Sequence, residues 1–432
     1  MKSSLLLITF LSFYTVSLGS KIIGRLDAAL TKTDGCTGWA KDKNEPTIPV
    51  QVSFYADTIF IGSTLANKNY KNQGSHGFEF TIPEKYRKGT INITAYSRNT
   101  KTNKLVELDN GNLPVGIQKN LTYSNYLDYS NHPLILDIMA MNSDEKKPLI
   151  VFVFGGGFIS GSKEHMWHNA LELGNNGDFV TATINYRLIR KSGKSEKEFN
   201  PHEIVCNNGT VSPLMWYRAI QDLNSAIKYL LYHKDKYNID PSKIFLYGGS
   251  AGGITTLQLA YTDETKLTKA FPDLDFNASD IGGINHTTDK KYINQDYKIS
   301  GVATVAGALW KEEFLDSTNN IPTLMIHSPN DNVLPYFKKA LQVKECSKIM
   351  YGSKYIHDTF LTWKDNGIQT PLFKLFIDRT KNNQKSLDHN ISFHGNLAFV
   401  KEAQDFFMAI SKQEKLFNVT IEDITNSPYY NK

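Results

Sequence analysis

The chain has 432 residues, 41% of them hydrophobic and 21% charged, a length expected of two or three domains and a composition that excludes extended disorder, collagen and coiled coil as the main architecture. Its formal net charge of +5, from 48 basic and 43 acidic residues, comes with no Lys/Arg run dense enough for a nucleic-acid patch. The 22 Tyr and 24 Phe supply ample aromatic surface, most commonly used for packing.

The first residues read as a secretory signal: Met1 and Lys2, an apolar run from Leu5 to Val16, then Ser17 and Gly19 two apart. The run is too short and too rich in hydroxyls for a comfortable membrane span, and nothing after it approaches 18 consecutive apolar residues. Cleavage near Gly19 or Ser20, making residues 1–20 the signal peptide, would lower the net charge to +4 and predicts a soluble, exported mature chain, extracytoplasmic or at the cell surface. Cys36, Cys206 and Cys346 are too few for a disulfide scaffold. Cys206 and Cys346 both fall in the later domain and are the expected pair, although spacing does not fix the pairing. No Cys/His spacing resembles a zinc site, and no cofactor or metal is expected. Seven Asn-x-Ser/Thr sequons occur, which matter only in a host that glycosylates.

From about Lys21 to Asn110 short β-rich runs alternate with turns: Val50 to Tyr55, Thr58 to Gly62, Gly77 to Ile82 and Thr90 to Tyr96. This spacing suits a small antiparallel sandwich over residues 21–112. Beyond Pro114 the texture changes. Apolar runs at Leu149–Phe154, Phe179–Ile184, Ile244–Tyr247, Val302–Val305, Thr323–Ile326 and Phe373–Ile377 have the continuous hydrophobicity of buried parallel strands. Between two of them, Leu214, Tyr217, Ile220, Leu223, Ile227, Leu230 and Leu231 recur at helical spacing, with Ser212 as N-cap and Pro213 in the first position. Strand and helix in alternation predict a mostly parallel, doubly wound α/β sheet over residues 113–415. Asp263 to Lys298 lacks either period and reads as an irregular excursion of the kind that shapes a substrate entrance. Residues 416–432 read as a polar tail.

Three stretches carry chemistry. Leu149–Phe154 runs into Gly155-Gly-Gly157-Phe158, where missing side chains let backbone N–H groups approach within ~3 Å of a developing oxyanion. A phosphate loop is the rival use of such glycines, but no Gly-Lys-Ser/Thr follows. Gly248-Gly-Ser250-Ala-Gly252 follows a strand and opens a helix-compatible stretch, the setting in which Gly-x-Ser-x-Gly exposes a serine on a strained turn. The expected oxyanion donors are the N–H groups of Gly156, Gly157 and Ala251. An attacking serine needs a base and an orienting acid. Asp331 lies just past the Thr323–Ile326 strand, with Asp378 as competitor; His327 beside it reads as a structural residue of the acid loop. Two histidines follow the last strong strand. His394 is favoured because His-Gly precedes a clear helix from Leu397 to Ile410; His389 is the alternative.

At these residues the chain resembles the secreted α/β-hydrolase carboxylesterases and lipases, over roughly Pro114 to Lys412. The resemblance rests on Pro148-Leu-Ile-Val-Phe-Val-Phe-Gly-Gly-Gly-Phe158, Ala182-Thr-Ile-Asn-Tyr-Arg187, Ile239-Asp-Pro-Ser-Lys-Ile244, Gly248-Gly-Ser-Ala-Gly-Gly253 and Asn330-Asp-Asn-Val-Leu-Pro-Tyr336. It implies ester hydrolysis without metal or cofactor, by Ser250, Asp331 and His394 in that chain order. Phe154 stands where the family usually has a histidine that braces the oxyanion loop, and Ser328 where it has a glycine. Gly38-Trp-Ala-Lys-Asp42, Val52-Ser-Phe-Tyr-Ala-Asp57, Ile61-Gly-Ser63 and His76-Gly-Phe-Glu-Phe80 resemble a small β-sandwich module found at the ends of exported bacterial proteins. Trp39 and Tyr55 there are expected in core packing rather than as sugar platforms.

The expectation is thus an exported serine hydrolase taking small-molecule, carbohydrate or lipid esters through an acyl-enzyme, with no nucleic-acid partner and an oligomeric state the sequence leaves open. Two other readings stay open. The architecture also serves serine peptidases, and a catalytically silent surface adhesin is a reading that Phe154 and the added sandwich encourage.

Overall fold

A computed structural model describes residues 21–29, 35–87, 91–98, 105–114, 116–128, 130–141, 143, 145–174, 177–188, 213–270, 272, 282–285, 289–317, 321–343, 346–377, 389, 397–414 and 418–430. The signal segment, Ser212, Cys206, Asp378 and His394 lie outside the described residues, and with Cys206 the expected disulfide. The chain divides into two compact units, the first ending at Leu113 and the second taking up the chain from Pro114.

The first unit is built of strands: β1 (Ile22–Ala29), β2 (Cys36–Asp42), β3 (Gln51–Ala56), β4 (Ile59–Leu65), β5 (Gly77–Phe80), β6 (Asn92–Arg98) and β7 (Leu105–Pro114). β2 pairs antiparallel with β1 and β5, and β3 with β4 and β6. The side-chain period of two sends Val52, Phe54 and Ala56 of β3 inward. Phe54 then stacks on Phe80 of β5 at 4.4 Å and meets Phe78 edge-on. The same period turns Tyr55 the other way, against Phe60 and Tyr96, each at 5.5 Å. Tyr55 and Trp39 are both only half-buried, so neither takes the core position expected of it. The Cys36 thiol is free and buried, and burial pushes its pKa well up.

In the second unit β8 (Ile117–Leu127) and β9 (Pro133–Met139) form an antiparallel pair, and β9 joins antiparallel to β11 (Val180–Ile184). From β11 inward the sheet is parallel, through β10 (Lys147–Val153), β12 (Ile239–Gly249), β13 (Ile299–Val305), β15 (Thr323–His327), β18 (Phe373–Ile377) and β19 (Val419–Asp423). β14 (Ala308–Leu309), β16 (Lys338–Val343) and β17 (Cys346–Gly352) make a small antiparallel sheet. All six predicted apolar runs are strands, and every residue of β11 and β15 is buried.

Helices α1 (Trp167–Gly174), α2 (Pro213–Tyr232), α3 (Lys234–Tyr237), α4 (Ala251–Tyr261), α5 (Glu264–Ala270), α6 (Ser353–Asp365) and α7 (Leu397–Ser411) accompany the sheet. On one face of β12, Phe245 meets Phe407 of α7 at 4.7 Å; on the other, Gly248 lies against the first turn of α4. Among the described residues no helix is long and apolar enough to cross a membrane.

One expectation needs correction. Residues 416–432 are not a polar tail: Val419–Asp423 extend the sheet alongside β18, with Val419 and Ile424 buried. The described parts of Asp263 to Lys298 hold α5 and, with Asn224 and Lys228 of α2, line a cavity of about 630 Å³ where α4 ends and β13 begins. Gly282 and Gly283 of this segment return to α2, their carbonyls accepting from the Tyr217 hydroxyl (2.8 Å) and Gln221 Nε2 (2.9 Å).

Candidate active site

β12 runs buried to Gly249 and α4 opens at Ala251, leaving Ser250 alone on the turn at φ 51°, ψ −119°, a conformation that strains any residue with a Cβ. Hydrogen bonds over-determine it. The Ser250 N–H donates to the Val305 carbonyl (2.9 Å), and the Ser250 carbonyl accepts from the Ile254 N–H (2.8 Å). The helix closes onto the sheet because Gly252 has no side chain; a Cβ there would collide with the carbonyl of Val153.

β10 ends against this turn. A Cβ on Gly155 would stand 3.1 Å from the Cβ of Ser250, so the glycine loop abuts the hydroxyl-bearing residue. The loop coils tightly: Gly156 and Gly157 take φ of +117° and +61°, and the Ile159 and Ser160 N–H groups both donate to the Gly156 carbonyl at 3.1 Å. Among the described residues no hydrogen bond engages the N–H of Gly156 or Gly157.

Phe154 is buried beneath that loop. It stacks on Tyr186 at 4.4 Å and 20°, meets His165 edge-on, and its carbonyl accepts from the Tyr186 hydroxyl at 3.1 Å. The loop's far end is held by Lys163, whose N–H donates to Asn185 Oδ1 and whose ammonium, 2% exposed, pairs with Asp137 Oδ2 at 2.8 Å.

The imidazole at the serine is that of His389. Its Nε2 lies 2.5 Å from Ser250 Oγ, and its Nδ1 lies 3.0 Å from Asp331 Oδ2. The base position assigned to His394 is therefore filled by the alternative, His389. Both fall on the connection from β18 to α7, and closeness to a helix start does not tell which ring spans from acid to hydroxyl.

Asp331 occupies the acid position in the turn after β15. Its Oδ1 accepts from the N–H groups of Val333 (2.9 Å) and Leu334 (2.8 Å). Its Oδ2 faces His327 Nε2 (3.2 Å) as well as His389. Burial opposes the carboxylate's charge, but the hydrogen bonds from His327 and His389 outweigh it and hold the pKa far below the usual carboxylate range. His327, expected to stabilise the acid loop, touches the carboxylate itself. Among the described residues no group of three or more His, Cys, Asp or Glu is arranged to hold a metal ion.

Sequence comparison places residues 86–189 in a match to the Carboxylesterase family and residues 210–305 in a match to BD-FAE. The chain is 30% identical over 129 residues to acetylcholinesterase-1 of Trittame loki, a stretch covering 30% of this chain and 21% of that protein. It is 24% identical over 140 residues to the para-nitrobenzyl esterase of Bacillus subtilis strain 168, covering 32% and 26%. The chain thus spans about a fifth to a quarter of the length of these curated relatives. Among solved structures it is similar to a truncated carbohydrate esterase from gut microbiota (18% identity, 68% of this chain and 96% of that one, TM-score 0.43). It is likewise similar to the apo form of Thermogutta terrifontis esterase 2 (18% identity, 68% and 95%, TM-score 0.43).

Proposed function

We propose that this chain is a serine hydrolase of carboxylic esters. The observation that carries the reading is the line from Ser250 Oγ through His389 to Asp331, set on a strained turn against a loop of free amides. Ser250 attacks the ester carbonyl as its proton passes to His389 Nε2. Asp331 holds the Nδ1–H, fixes the tautomer and stabilises the imidazolium that forms. The N–H groups of Gly156, Gly157 and Ala251 receive the tetrahedral oxyanion, each contributing on the order of 10²-fold in rate. His389 returns the proton to the leaving alcohol, and water repeats the cycle on the acyl-enzyme. The matches to carboxylesterases support esters as the substrate class, whether of small molecules, sugars or lipids. We read the first unit as an accessory β-sandwich and residues 1–20 as an export signal, a reading that N-terminal sequencing of the secreted protein tests.

Aryl acetate or butyrate hydrolysis is expected to fall by at least ~10³-fold in Ser250→Ala, with loss of fluorophosphonate labelling. Near-wild-type turnover in that variant, or a folded wild-type protein that neither turns over nor labels, overturns the assignment. A panel of aminoacyl anilides beside short-chain esters separates esterase from peptidase.

A further inference from the structure

We infer that His327 is a positioning residue for the acid of this site and that Ser353 fixes its tautomer, an inference that rests on the esterase reading above. An ionised carboxylate only accepts hydrogen bonds, so each ring nitrogen facing Asp331 must carry a proton. For His389 this leaves Nε2 free to take the serine proton. For His327 it leaves Nδ1, which lies 2.9 Å from Ser353 Oγ, and that hydroxyl donates to it. One hydrogen-bonded line therefore runs Ser353, His327, Asp331, His389, Ser250, joining the first residue of α6 to the turn before α4.

His327 and Ser353 are both fully buried, and the imidazole stands edge-on to Tyr336 at 5.7 Å. His327 has no route to substrate, so it acts through Asp331. The titratable groups facing the carboxylate are His327 from the end of β15 and His389 from the β18–α7 connection. Among the described residues these two rings are its ion-pair partners. Tyr336 and Ser353 face His327 from its other sides. Because two rings share one carboxylate, His389 receives only part of its charge. Removing the His327 donor raises the proton affinity of the buried acid and leaves more of its charge to His389. Both effects move the acidic limb of the activity profile to higher pH.

The test is the pH profile of kcat and kcat/KM for aryl acetate hydrolysis by wild type, His327→Leu, His327→Gln and Ser353→Ala, normalised to the fraction labelled by a fluorophosphonate, beside Ser250→Ala normalised to total folded protein. Leu is expected to lower kcat about 10-fold with KM nearly unchanged, and to move the acidic limb up by roughly one pH unit. Gln, which donates from nearly the same place without titrating, should restore the limb, and Ser353→Ala should give a smaller shift in the same direction. A Leu profile superimposing on wild type, or a Gln variant no closer to wild type than Leu, overturns the inference. Should Leu fail to fold, an unshifted limb in Ser353→Ala overturns it. An inactive Ser250→Ala beside an unshifted His327 series leaves the esterase reading standing without this addition, whereas an active Ser250→Ala removes both.

Discussion

Phe154 and Tyr186 lie face to face at 4.4 Å, and the Tyr186 hydroxyl donates to the Phe154 carbonyl, the last peptide oxygen before the glycine loop. Where the resembled family braces this loop with an imidazole, here a flat aromatic stack holds it from below. Phe154→Ala is expected to lose about 3–5 kcal/mol of stability through the cavity it leaves, and Tyr186→Phe about 1–2 kcal/mol through an unpaired buried carbonyl. Denaturant melts measure both, and kcat should fall with them because the loop donors lose their support.

His389→Ala and His394→Ala give opposite outcomes. Loss of the ring that bonds both Ser250 and Asp331 should lower kcat by at least ~10³-fold. His394→Ala should stay within a few-fold of wild type. Steady-state rates on one aryl ester decide the assignment.

Lys163 and Asp137 form a buried pair, each side chain 2% exposed, at the end of the glycine loop. Lys163→Met leaves a buried carboxylate without its partner, at a cost of about 3–5 kcal/mol, or a Tm fall of roughly 10 °C. Adding Asp137→Leu should recover much of the melting temperature, since both charges are then gone, and calorimetry of the single and double variants reads the difference.

Asp331 also sets a pH dependence of stability. Its folded pKa is depressed, so the stabilisation it gives is fully present above the unfolded value near ~3.9 and is lost as pH falls through and below that value. The Tm difference between wild type and Asp331→Asn should therefore shrink as pH falls from about 5 to 3. A difference unchanged at pH 3 would contradict the carboxylate's role.

The parallel core of the second unit was legible because strands buried on both faces read as unbroken apolar runs. β19 was not: Val419-Thr-Ile-Glu-Asp423 is buried mainly at its first residue, and an edge strand with exposed charges resembles a loop. Tyr55 was misplaced because aromatic content alone does not say which face of a strand a ring takes. Ser250 and Asp331 announced themselves through the strand endings that carry them. The choice between His389 and His394 had no such marker, because either ring is long enough to reach and only the closed tertiary structure selects one. The bracing roles of Tyr186 and Lys163 had none either, since each depends on a partner from a distant strand or loop.

The hydroxyl and the imidazole of this site are 139 positions apart in the chain, and the imidazole and carboxylate 58. Such separations make the constellation a high-contact-order event, closed only after the entropy of long loops has been overcome. Covalent labelling of Ser250 during refolding therefore counts native molecules rather than merely collapsed ones. A time course of that label set against far-UV dichroism would show how far catalytic competence lags behind secondary structure.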